Sequence, residues 1–185
     1  MQSLIRSIDR ITTVVGICAA LLLVPLVLAT CYEVFSRYVM NEPTAWAYEV
    51  GYILTGSHFL LGLAYTLQKD LHIRIDVFTG LMSVRTRALI DTVAYAVMLP
   101  LLAWLAWMLL EYLITGYTRG ERSGQSSLNP PVWPFRLVFT VSFALLALQV
   151  FVSLMKSLSR LFNPSNPPGP PMPLASPAHS PSTER

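Results

Sequence analysis

Charge is what this sequence has least of. Asp, Glu, Lys and Arg make up 12% of its 185 residues, about half the roughly 25% of soluble domains. The formal net charge of +3 is too small to suggest nucleic acid as a partner. Histidine is limited to His58, His72 and His179, which gives no pair at matched depth for axial haem ligation and no zinc-ligand spacing with the cysteines. The two cysteines, Cys18 and Cys31, lie thirteen residues apart on one apolar stretch, ~20 Å along a helix. A disulfide needs Cα atoms within about 7 Å, so an internal bridge is excluded and both read as packing residues. No phosphate-binding loop and no nucleophile motif is present.

Apolar residues, in contrast, reach 54%, and they gather into four stretches at about 11–32, 46–67, 92–110 and 133–155. Each is long enough to cross a bilayer, since ~20 helical residues cover the ~30 Å hydrocarbon core. Spanning segments must satisfy their backbone internally. The expected fold is therefore an all-α integral membrane protein with four transmembrane helices, and membrane lipid is its solvent. The apolar run at the start exceeds the 7–15 residues usual for a signal peptide and has Asp9 in its charged flank, so cleavage is not expected. Pro100 is expected to kink the third span.

Basic residues favour cytoplasmic loops. Arg6, Arg10, Lys69, Arg74, Arg85, Arg87, Lys156, Arg160 and Arg185 fall on one side, against Arg37, Arg119, Arg122 and Arg136 on the other. This asymmetry places both termini in the cytoplasm. Between spans two and three, residues 71–77 alternate as a strand would. From Asp76 the period turns helical, with Val77, Leu81 and Val84 on one stripe beside Arg85 and Arg87, as suits an interfacial segment. Residues 1–162 read as the four-helix membrane domain. Residues 163–185 contain eight prolines in 23 residues and read as a disordered Pro-rich cytoplasmic tail.

Ionisable groups at membrane depth are default functional candidates. Glu49 lies three residues after Trp46, near the outer end of span two. It is expected to pair with Arg37 or with a cation on another subunit, although Glu33 competes for Arg37 from the same helix. His58 lies deeper and reads as a neutral, hydrogen-bonded bundle histidine. These features leave open an accessory membrane subunit, an autonomous small transporter or channel with Glu49 and His58 lining a path, and a membrane anchor of a redox enzyme.

Three segments together carry a resemblance. The first is Glu33-x-x-x-Arg37-Tyr38-Val39-x-Asn41-x-Pro43-x-x-Trp46-x-x-Glu49, joining spans one and two. The second is His72-Ile73-Arg74-Ile75-Asp76-Val77, just after span two. The third is Leu128-x-x-Pro131-x-Trp133, opening span four. The chain over 1–162 resembles the small permease, or Q-type, subunit of the tripartite ATP-independent periplasmic (TRAP) transporters. In one departure, Val50 stands where the family often has a second acidic residue. The resemblance implies a bacterial inner-membrane subunit, not an enzyme, without a cofactor of its own. It implies two partners, a large permease subunit and a periplasmic solute receptor, in cation-coupled uptake of small organic acids. Substrate and sodium sites are then expected in the large subunit. It also marks Glu33, Arg37, Tyr38, Asn41, Trp46, Glu49, His72, Arg74, Asp76 and Trp133 as structural or interface residues. Separately, the short connection makes spans one and two antiparallel neighbours, so Arg37, Tyr38, Asn41, Trp46 and Glu49 are expected to form one cluster at the outer face.

Overall fold

A computed structural model describes residues 2–69, 84–126 and 128–162. Their regular structure is helical: α1 (Gln2–Leu21), α2 (Leu23–Tyr38), α3 (Ala47–Gln68), α4 (Val84–Thr118) and α5 (Trp133–Phe162). His72, Arg74 and Asp76, most of the expected interfacial segment and the Pro-rich tail lie outside the described residues.

Helices α1 and α2 together make one long apolar segment. Four helical segments are thus long and apolar enough to span a membrane: Ile5–Tyr38, Ala47–Gln68, Ala88–Thr118 and Trp133–Ser159. Three outrun the apolar stretches of the sequence, because helical hydrogen bonding continues past the point where side chains turn polar. At ~1.5 Å per residue, the 31 residues of the third segment cover about 46 Å, so this helix tilts or projects beyond a ~30 Å hydrocarbon core. It runs through Pro100 as one helix. The first segment is interrupted at Leu22. Pro25 has no N–H to give the carbonyl of Leu21, and Leu22 bonds back to the carbonyls of both Cys18 and Ala19 at 3.2 Å.

The packing order explains which faces are inside. Helix α5 lies against α4 and α3, α3 lies against α1 and α2, and α1 also reaches α5. The core is the α4–α5 seam, where Leu102, Leu146 and Val150 are buried among Leu63, Tyr95 and Phe143. Close approach relies on small residues, as expected between membrane helices. A Cβ on Gly56 would sit 2.9 Å from the Phe135 ring, so that ring seats directly on the α3 backbone. At one end of the α4–α5 seam, Ser157 lies 2.9 Å from the Thr92 hydroxyl and donates to the carbonyl of Ala88 at 3.1 Å. Large apolar side chains such as Leu28, Phe59 and Trp104 remain more than 60% exposed. In a bilayer these face lipid or another membrane helix rather than water.

Candidate functional site

Polar side chains gather at two levels of the bundle. At the level of the α2–α3 connection, Glu33 is the organiser. It accepts from Arg37 Nε at 3.0 Å and Nη2 at 2.5 Å, one turn along α2. Its other oxygen accepts from the backbone N–H of Thr44 at 3.0 Å and from the Thr44 hydroxyl. Ser36 donates to the carbonyl of Glu42, whose own N–H returns to the carbonyl of Ser36 at 3.1 Å. Asn41 turns the chain at φ 56°, a left-handed conformation that Asn tolerates better than most residues. Tyr32 and Trp46 stack at 5.8 Å, and Trp46 itself occupies the cap position of α3. Thr44 is bonded to Glu33, and α3 has no side-chain cap.

The expected Arg37–Glu49 pair is absent. Glu33 captures Arg37 because the two are four apart on one helix, with the acid on the N-terminal side, the favoured order. Tyr38 points away, 77% exposed. The residues at the α2–α3 corner therefore form a cluster of Glu33, Arg37, Thr44, Tyr32 and Trp46, and Glu49 belongs to another.

Glu49, in the first turn of α3, is fully buried (0% exposed). It accepts hydrogen bonds from the hydroxyls of Ser123 and Ser126, both on the α4–α5 loop. Hydroxyl donors and the positive end of the α3 dipole thus take the place expected for Arg37. The loop that brings them is braced by its own bonds. Ser123 N–H reaches the carbonyl of Pro130 at 3.0 Å and Val132 N–H that of Glu121 at 3.1 Å. Gly124 N–H reaches the Asn129 side chain at 2.9 Å.

Beside it sits a cation that the sequence reading counted only for topology. Arg136, in the first turn of α5, is 8% exposed. It donates to Glu121 and to the carbonyl of Tyr112 at 3.1 Å, and its guanidinium stacks 3.6 Å from the Tyr112 ring. Two glycines make this possible. Gly120, at φ 62°, ends α4 in a Schellman turn: its N–H bonds to Tyr117 at 3.2 Å and Glu121 N–H to Gly116 at 3.1 Å. That turn directs Glu121 back toward Arg136. Gly116 leaves the notch, since a Cβ there would lie 2.8 Å from Arg136 Cζ. Trp133 packs edge-on to Tyr117 at 5.9 Å.

The second level lies at the other end of the same helices and was not foreseen. Asp9 on α1 accepts from Gln149 Nε2 at 3.1 Å and pairs with Lys156 at 3.3 Å, both on α5. Its carbonyl accepts from Gln68 of α3 at 2.7 Å, and Thr12 donates to the buried Gln149 at 3.3 Å. The visible signal was the amide of Gln149 inside an apolar run, with Gln68 at the end of another. Between the levels, His58 Nδ1 lies 2.8 Å from the carbonyl of Ala19. Facing a carbonyl, that nitrogen is the donor, one turn before the break at Leu22, so the ring is hydrogen-bonded inside the bundle. Among the described residues, no group of His, Cys, Asp and Glu is arranged to hold a metal ion.

Compared with known families, residues 26–160 match the family model for tripartite ATP-independent periplasmic transporters, DctQ component. The match takes in both clusters at the α2–α3 and α4–α5 connections, together with Gln149 and Lys156. No curated protein matches the chain.

Proposed function

The chain belongs to the DctQ component family of the tripartite ATP-independent periplasmic transporters, and from that membership we propose that it is the static scaffold of such a transporter. It is a multi-pass membrane protein of the bacterial inner membrane and the small subunit of the system. In this reading it packs beside the large permease subunit and helps dock the periplasmic solute receptor during cation-coupled uptake of small organic acids. The substrate and sodium sites lie in the large subunit, and both termini face the cytoplasm.

One structural observation supports the scaffold role. At two levels of the bundle, buried polar side chains tie helix to helix. Glu49 joins α3 to the α4–α5 loop, Arg136 joins α5 to the end of α4, and Asp9 joins α1 to both α3 and α5. Held this way, the helices are fixed against one another at both ends.

The competing readings are an autonomous channel and a redox anchor, and purification separates them. The scaffold reading expects tagged chain, solubilised mildly, to bring down a larger integral membrane protein in constant ratio, and expects no solute uptake by liposomes containing this chain alone. Uptake by such liposomes, or purification without any integral partner, refutes it.

A further inference from the structure

The described residues of the α4–α5 loop are braced by their own hydrogen bonds, and one further contact ties them to α3. The loop's internal bonds, from Ser123 to Pro130 and from Gly124 to Asn129, fix its shape. Its stems fix only where it leaves α4 and enters α5. What joins its middle to α3 is the carboxylate of Glu49, held by Ser123 and Ser126. Each hydroxyl is doubly engaged: Ser126 Oγ also accepts from Leu128 N–H at 3.1 Å, and Ser123 Oγ lies 3.4 Å from Gln125 N. A shift of the carboxylate is thereby passed to the loop backbone. Glu49 is itself fully buried, whereas Arg122, Gln125 and Leu128 on the same loop are exposed. The neighbouring α2–α3 loop is pinned independently by Glu33 and Ser36.

We propose that Glu49 is a positioning residue for receptor docking: its buried carboxylate latches the 121–132 loop over α3, so that this loop and the α2–α3 loop present one fixed outer face to the soluble receptor. The proposal rests on the docking role given above. Glu49 contributes no contact to the receptor and acts only through the loop. A carboxylate whose sole use was to favour the start of α3 would act through the helix dipole and would leave the loop face where it is.

The test uses the whole complex, this chain with its large permease, in lipid nanodiscs. The probe is the periplasmic receptor of the same transporter, purified with its solute retained. The variants are Glu49→Ala, Glu49→Gln and the double variant Ser123→Ala, Ser126→Ala. A second readout needs no receptor: the distance distribution between spin labels placed at Gln125 and Tyr48, both exposed. Glu49→Ala and the serine variant should still assemble, broaden that distribution and weaken receptor binding roughly tenfold, equal to about 1.4 kcal/mol. Glu49→Gln keeps an acceptor and adds an amide donor for the second hydroxyl, so it should regain most of the loss. If Glu49→Ala fails to assemble, the serine variant decides. An unchanged distance distribution, or wild-type receptor affinity despite a mobile loop, overturns the proposal. Failure of the docking role itself would appear separately, as absence of receptor binding by the unsubstituted complex.

Discussion

Substituting Arg136 probes a buried tie between α5 and the end of α4. Its side chain is 9% exposed and that of Glu121 is 34% exposed. Breaking a fully buried ion pair costs about 3–5 kcal/mol, but a carboxylate that is one-third exposed regains hydration when its partner is removed. The carbonyl of Tyr112 also keeps its own place in the α4 ladder. Arg136→Met should therefore destabilise the folded chain by roughly 2 kcal/mol, toward the low side of that range. Glu121→Gln should cost about 1 kcal/mol, since a neutral acceptor remains for the guanidinium. The double variant should lose less than the sum by about 1–1.5 kcal/mol, near the upper end of couplings measured between membrane helices. Reversible unfolding of the reconstituted chain by SDS in mixed micelles, followed by circular dichroism, supplies all four corners of the cycle. Gly116→Ala adds an internal check. Its Cβ would lie 2.8 Å from Arg136 Cζ and 3.3 Å from Cδ, so the guanidinium must leave its notch. In that background, Arg136→Met should cost much less than in the unsubstituted chain. A coupling within about 0.3 kcal/mol of zero, or an Arg136→Met cost unaffected by Gly116→Ala, refutes the argument.

Gln149→Leu should destabilise the chain by about 1–2 kcal/mol despite being more apolar, because it strips Thr12 and Asp9 of a partner at a buried site; an unfolding midpoint equal to or above wild type counts against the Asp9 network. For orientation, a cysteine at Gln125 should react with a membrane-impermeant maleimide in whole cells, and one at Ser159 only after the membrane is opened. The reverse pattern overturns the cytoplasmic placement of the termini.

The spans were legible because their signal is local. Twenty apolar residues are counted along the chain without knowing any neighbour, and α3 begins and ends within one residue of the apolar stretch at 46–67. The Glu33–Arg37 pair was equally legible as a contender, since four-residue spacing is a property of one helix. What failed was the choice between two carboxylates for one guanidinium. That choice turned on Thr44, which fixes Glu33 from the loop, and on the rotation of α3, which points Glu49 into the bundle. Neither is written in the spacing of charged residues.

The partners that were missed share one property: they join segments far apart in sequence. Glu49 to Ser123, Asp9 to Gln149 and Arg136 to Gly116 each depend on which helix lies beside which, and four spans permit several arrangements. The two glycines show how such a contact becomes specific once the arrangement is known. Gly120 looked like any loop glycine and Gly116 like any small residue of an apolar run. Together they aim one acid and clear one notch, so that a guanidinium lies buried against an aromatic ring at a helix end. Because Glu49 and Arg136 hold opposite sides of the same loop, one through Ser123 and Ser126 and the other through Glu121, neither anchor alone determines where that loop sits. Loss of Arg136 should then loosen the stem while the Glu49 contact persists, and loss of Glu49 should free the middle of the loop while the stem stays closed. The two lesions are therefore separable: the first is read in folding stability and the second in the position of the outer face.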